Sequence, residues 1–202
     1  QFAGENSFKL SGNAVADEMH IANTGTTGTT IDASNITHDA TQASTLRLEG
    51  KALLADTVMG SAKDDIIVAT SGGDTIDGST GTDTFLAANL AAATVEGAGT
   101  GTSTGVVINL GGTTAVTNTA VLGASVGYTG NSVTSVAAGE YAYVHAASAA
   151  INSNVKGSIT NVENVTGTGG ADYIVGTNGA NVIDGGVGAD TIDAGLGADT
   201  IT

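Results

Sequence analysis

Carboxylates recur every nine residues in two stretches of this chain. Asp56, Asp65, Asp74 and Asp83 form one series, and Glu163, Asp172, Asn181, Asp190 and Asp199 form a second, with one amide. Two residues after each stands a large apolar side chain: Val58, Ile67, Ile76 and Phe85, then Val165, Ile174, Ile183, Ile192 and Ile201. Carboxylates spaced this way on a glycine-rich backbone can do two things. They can close turns by accepting backbone N–H groups, or they can gather around a hard cation.

The surrounding words show what must position them. Read in nines from residue 202 backwards, the chain gives AGLGADTIT, GGVGADTID, GTNGANVID and GTGGADYIV, and more faintly SITNVENVT (158–166). A second block gives GSTGTDTFL (78–86), ATSGGDTID (69–77), GSAKDDIIV (60–68) and a degenerate KALLADTVM (51–59). These words resemble the RTX, or haemolysin-type, calcium-binding repeat, whose pattern is GGxGxDxUx with U a large aliphatic residue. The run ITNVENVTGTGGADYIVG is similar to the lead-in of such arrays. The resemblance covers 60–86 and 158–202.

Local physics agrees with that pattern. Slots one to six make a turn, where glycines let the backbone curl and point carbonyl oxygens at a common centre. Slots seven to nine make a short strand, in which only the eighth side chain faces inward. Two nonapeptides therefore form one flattened coil of eighteen residues, and parallel coils stack about 4.8 Å apart. Eighteen is the spacing that matters. It predicts Asp56 over Asp74, Asp65 over Asp83, Asp172 over Asp190, and Asn181 over Asp199.

Stacked carboxylates repel where water is partly excluded. A cation taking six or more oxygen ligands reverses the sign, and carbonyls with carboxylates suit Ca²⁺ better than the tight octahedron of Mg²⁺. Zinc or copper would want Cys or His, and the chain has no Cys and three His. The residues assigned to calcium are Asp65, Asp74, Asp83, Asp172, Asn181, Asp190 and Asp199. With them go the turn glycines Gly72, Gly81, Gly167, Gly170, Gly176, Gly179, Gly185, Gly186, Gly188, Gly195 and Gly197. Stacked pairs imply about four internal calcium ions. Asn181 drops a charge, and Lys63, Ala69 and Thr70 depart from the pattern, so weaker sites are expected there. In 51–59, Leu53 and Leu54 replace turn glycines, which favours a metal-free turn.

The fold expected is all-β: a parallel β-roll or solenoid of eighteen-residue coils with an irregular β-rich insertion. Four segments follow: a solenoid-like 1–50, a first calcium block at 51–86, an Ala/Thr/Gly-rich insertion at 87–157, and a second calcium block at 158–202. Within the insertion, VVINL (106–110) and YAYVHA (141–146) read as strands, while 87–97 and 146–153 are open between strand and helical turn. In the N-terminal part, TTIDASNI and TLRLEG read as further rungs. DEMH (17–20) reads as a solvated polar loop rather than an acid/base site, and His145 beside Tyr141 and Tyr143 as part of a strand face.

The 202 residues include 31 Gly and carry a formal charge of -15 with five Lys plus Arg. That balance excludes nucleic acid and anionic membrane as partners. No stretch is long and apolar enough to span a bilayer. Absent cysteines exclude a disulfide framework. HExxH, G-x-S-x-G and P-loop patterns are missing, so no enzyme is expected within these residues. The chain begins at Gln1 without Met and reads as part of something longer.

The core of such a roll is thin, so calcium must supply much of the folding free energy. The resemblance implies type I secretion from a bacterium, with folding where calcium is plentiful. The function expected is an extracellular calcium-binding structural module of a surface layer, filament or adhesin, with self-association or other cell-surface components as partners. The alternative is the secretion and folding module of a larger secreted enzyme or toxin whose catalytic domain lies elsewhere. An ice- or carbohydrate-binding face built on the seventh-slot threonines is a third class, but it would need a longer, more regular ladder.

Overall fold

The computed structural model describes residues 9–10, 17–38, 44–51, 54–70, 72–87, 103–111, 114–117, 135–145 and 156–202. The segments left open between strand and helix lie outside these residues for nearly all of their length. The N-terminal part supplies β1 (Lys9–Leu10), β2 (Asp17–Ala22), β3 (Thr30–Asp32), β4 (Thr37–His38) and β5 (Ser44–Glu49). The first block supplies β6 (Thr57–Met59), β7 (Asp65–Val68), β8 (Thr75–Asp77) and β9 (Thr84–Leu86). The insertion adds β10 (Ser103–Asn109), β11 (Val116–Thr117), β12 (Ser135–Val136) and β13 (Glu140–His145). The rest holds β14 (Lys156–Thr160), β15 (Asn164–Thr166), β16 (Tyr173–Val175), β17 (Val182–Asp184), β18 (Thr191–Asp193) and β19 (Thr200–Ile201).

Consecutive repeat strands alternate between two sheets, as a flattened coil requires. One sheet runs β19-β17-β15-β9-β7-β5-β2, and the other β18-β16-β10-β13-β14-β8-β6-β3. Within a block the parallel register is eighteen: Thr57 pairs with Thr75, Tyr173 with Thr191, and Val182 with Thr200. The fold is thus the parallel β-roll anticipated from the repeats. Eighth-slot side chains fill its interior; Ile67, Phe85, Ile174 and Ile183 are fully buried, and Val58, Ile76 and Val165 nearly so. Ile31, Leu46 and Leu48 extend the same core through the N-terminal rungs.

Two features were not visible in the nine-residue frame. First, DEMH is not a loop. It begins β2, which pairs in parallel with β5 from Asp17–Ser44 to Ala22–Glu49, and His20 Nε2 lies 2.9 Å from Glu49 Oε2 across that pair. Alternation of apolar Met19 and Ile21 with polar neighbours carried the strand signal.

Second, the two blocks share both sheets. β9 pairs directly with β15, Phe85 opposite Val165, and β8 pairs with β14, Ile76 opposite Ile159. SITNVENVT therefore holds parts of two strands on opposite walls, joined by a turn at Asn161 with φ 52°. The insertion enters only one wall. There β13 and β10 stand between β14 and β16 as antiparallel neighbours, so this wall gains two strands that the facing wall lacks. At about 4.8 Å per strand, two added strands correspond to about 10 Å of extra wall on that side. On the insertion's outer face Val107, Ala142 and Val175 pack with Val116 and Val136 of the β11–β12 pair.

Candidate calcium edge

Each predicted stacked pair is present, and backbone hydrogen bonds hold it. The sixth-slot Oδ1 of one coil accepts the sixth-slot N–H of the coil before. Asp74 accepts from Asp56 at 2.9 Å, Asp83 from Asp65 at 2.7 Å, Asp190 from Asp172 at 2.9 Å, and Asp199 from Asn181 at 3.0 Å. Carboxylate and turn are thereby locked in register, and the second oxygen decides the chemistry.

That second oxygen is treated in two ways. In closed turns the coil's own second slot donates to it. Ser61 N–H reaches Asp65 Oδ2 at 2.6 Å, Thr168 N–H reaches Asp172 Oδ2 at 2.6 Å, and the Thr70 hydroxyl reaches Asp74 Oδ2 at 2.8 Å. Asn181 is closed in the same way, its Oδ1 accepting from Thr177 N–H at 2.9 Å. In each, donors of the same turn hold the side chain. Asp56 is held likewise, by Lys51 N–H, Thr29 N–H and the Asn23 amide.

In open turns the second slot takes a left-handed conformation: Ser79 at φ 76°, Gly186 at 84° and Gly195 at 87°. Its N–H then turns back to the ninth-slot aspartate of the preceding strand. Ser79 donates to Asp77 at 2.9 Å, Gly186 to Asp184 at 2.9 Å and Gly195 to Asp193 at 3.2 Å. The sixth-slot carboxylates of these turns, Asp83, Asp190 and Asp199, are relieved of closing their own loop. Asp83 Oδ2 is fully buried and has no hydrogen-bond partner.

Carbonyls complete the edge. A side chain at Gly186, Gly188, Gly195 or Gly197 would strike the carbonyl oxygen of Thr168, Gly170, Thr177 or Gly179, each eighteen residues earlier. Gly72 and Gly81 face Leu54 and Lys63 carbonyls in the same manner. First-slot Gly167, Gly176 and Gly185 lie against their own sixth-slot oxygens, with hypothetical Cβ atoms 2.5–2.7 Å from Asp172, Asn181 and Asp190, and the first two also face the Gly185 and Ala194 carbonyls. The assigned glycines thus keep the turns close enough for carbonyls of one coil to approach the next.

Burial makes these acids hard to ionise. Desolvation, above all, pushes Asp83 up to about 7, reinforced by the charges of Asp65, Glu163 and Asp64 and opposed by the Asp65 N–H bond. Desolvation raises Asp74 to about 6 and also raises Asp172. A positive ion favours the ionised form and removes this penalty. Among the described residues, no three His, Cys, Asp or Glu side chains converge to hold a metal ion, so any ion here must draw on backbone carbonyls as well. The donors are carboxylate pairs with carbonyls, which fit a hard, flexible cation such as calcium.

Such an edge on a parallel β-roll defines a calcium-dependent repeat architecture. The family model of the RTX calcium-binding nonapeptide repeat matches residues 54–85 and 166–201, in four copies. The chain therefore carries RTX calcium-binding repeats over roughly a third of its length. No curated protein matches the chain.

Three contributors were not among the residues assigned to calcium. Ninth-slot Asp77, Asp184 and Asp193 set the open turns, and a usable signal existed: an aspartate precedes every open turn, whereas Met59, Val68, Thr166 and Val175 precede the closed ones. Glu163 stacks on the edge, its Oε2 accepting Asp83 N–H at 2.9 Å. Tyr141 is the third. Where the coil above Asp74 carries Gly157 and no acid, the buried Tyr141 hydroxyl accepts the Asp74 N–H at 3.0 Å, and its ring packs 5.0 Å from Phe85. A Cβ at Gly157 would overlap that ring. Burial and the Asp74 charge raise the Tyr141 hydroxyl well above its ordinary value, so it stays protonated.

Proposed function

We propose that this chain is a non-catalytic, extracellular structural module whose folding and assembly depend on calcium, built into a bacterial surface layer, filament or adhesin. The observation that carries this reading is the set of open turns, in which Asp83, Asp190 and Asp199 are released from turn closure and Asp83 Oδ2 is left buried without a donor. Unloaded, these turns hold carboxylates against oxygen acceptors, and Asp74, Asp83 and Asp172 resist ionisation. Loaded, the same turns are cross-links between coils. Export unfolded into a calcium-rich exterior, followed by folding on arrival, suits that linkage.

A structural role is supported by what surrounds the edge. The roll runs through both blocks, and the insertion is woven into one wall rather than attached to it. Third-slot Val187 and Leu196 project from turns at 76% and 70% exposure, apolar points suited to contact with neighbours. The test is to titrate calcium into chelator-treated chain while recording circular dichroism, light scattering and negative-stain images. A gain of β-structure together with assembly supports the proposal. A chain that folds with calcium but stays monomeric refutes the assembly role and favours the alternative, a folding module of a larger secreted enzyme or toxin.

A further inference from the structure

The seam between the two repeat blocks holds an oxygen cluster that the eighteen-residue register does not provide. Asp83 belongs to the last coil of the first block, and the next coil's acid is Glu163, eighty residues on. Asp83 is fully buried. Its Oδ1 accepts Asp65 N–H at 2.7 Å, and its Oδ2 accepts nothing. The donor that fills this role for Asp65 is its second-slot N–H; here Ser79, left-handed at φ 76°, gives that N–H to Asp77. A non-glycine residue in that conformation is a strained feature of the kind retained at functional sites.

The oxygens around Asp83 Oδ2 are acceptors. Gly78 N–H bonds to the Thr160 carbonyl, which stacks the turn at Asn161 over Gly78. A Cβ at Gly78 would strike the Asn161 carbonyl oxygen and stand 2.6 Å from Asp83 Oδ2, so both oxygens face one point. Glu163 brings a second carboxylate, with Oε2 on the Asp83 N–H at 2.9 Å. A buried anionic oxygen facing a carbonyl with no donor between them is unfavourable unless a positive centre joins them.

We propose that a divalent cation of calcium's class binds at this seam, held by Asp83 Oδ2, the Asn161 carbonyl and the Glu163 carboxylate, and ties the first repeat block to the second across the insertion. The inference rests on the calcium reading above and extends it to a site made of residues eighty apart, with a glutamate from a shortened repeat as ligand. Oxygen donors on a flexible turn select calcium over a softer or smaller ion. The insertion leaves after Leu86 and rejoins at Lys156 on the opposite edge of this coil, so the ion joins the two blocks on the edge where their turns stack directly.

The experiment counts calcium ions bound per full chain, by equilibrium dialysis with elemental analysis, for wild type, Asp83→Asn, Glu163→Gln and Asp190→Asn. Asp83→Asn is nearly isosteric, and its amide can donate to the Asn161 carbonyl, so it retains the fold in chelator. It is expected to bind one ion fewer than wild type and to melt higher than wild type in chelator. Glu163→Gln is expected to weaken one site by roughly tenfold or more. Asp190→Asn is the control for the second block. If wild type and Asp190→Asn differ while Asp83→Asn and Glu163→Gln both match wild type, the seam site is overturned and the calcium reading stands. If wild type binds no calcium, both fall. Should Asp83→Asn not fold, an unchanged Glu163→Gln isotherm overturns the proposal and a weakened one upholds it.

Discussion

Replacing Tyr141 by Phe isolates one hydrogen bond at the point where an acid is missing from the edge. The ring, its packing on Phe85 and the room over Gly157 are kept. What is lost is the acceptor for the Asp74 N–H, a bond of 3.0 Å between fully buried partners, together with a weaker contact from the hydroxyl to Asp74 Oδ2 at 3.5 Å. A buried donor left without a partner costs about 1–3 kcal/mol. For a chain of this size that is a fall in melting temperature of roughly 4–8 °C at mid-range. The count of bound calcium ions should not change, because the phenol serves where the coil has no carboxylate to offer a metal. Urea unfolding in saturating calcium, paired with a calcium isotherm, reads both quantities. A variant as stable as wild type to within about 0.5 kcal/mol would refute the claim that the phenol replaces a sixth-slot acceptor. A variant that loses an ion would show instead that Tyr141 acts through a metal site.

The other predictions concern the two kinds of turn. Asp184→Ala removes the acceptor of the Gly186 N–H, so the freed group swings toward Asp190; calcium affinity should fall roughly tenfold, measured by calorimetry, with the fold retained at high calcium. Thr168→Gly should loosen a closed turn and lower stability by about 1 kcal/mol in thermal melts without removing an ion. Gly186→Val forces a branched residue to φ 84° and drives it into the Thr168 carbonyl, for a loss of about 2–4 kcal/mol in urea unfolding. Metal-free chain should be most stable in acid. Because Asp74, Asp83 and Asp172 have folded values above the unfolded 3.8, their contribution is complete below about pH 4 and is lost as pH rises through about 6 for Asp74 and about 7 for Asp83. Saturating calcium should abolish the part of that decline near pH 7 that belongs to Asp83, and a decline that persists there in melts would mean that Asp83 does not meet the ion.

Much of this architecture is legible in the residues because one physical rule is repeated. A turn of six and a strand of three, with the eighth side chain inward, fix the coil, the register of eighteen and the stacked acids before any coordinate is known. The rule works while each coil repeats its neighbour. It stops at residues 87 and 157, since nothing local says that Phe85 will pair with Val165 or Ile76 with Ile159. Those contacts are set by which strand edge remains open after the insertion, a non-local matter. SITNVENVT shows the cost of extending the frame: counted as one nonapeptide, it places Val165 correctly, yet it hides Ile159 on the opposite wall.

The division between closed and open turns was also written in the chain, one slot from where the consensus directs attention. Sixth-slot aspartates look alike in the sequence, yet their oxygens are in different states. Asp65 is satisfied by Ser61, whereas Asp83, eighteen residues on, is not satisfied by Ser79. Both second slots are serine, so that residue's identity does not decide the outcome. What differs is the residue before the turn, Met59 in one case and Asp77 in the other. The Asp77 carboxylate captures the second-slot N–H, for which Met59 has no acceptor, and Ser79 there takes the left-handed conformation. A chain can therefore mix self-closed and open turns along one roll by changing a single outward-facing strand residue, without altering the core that stacks the coils.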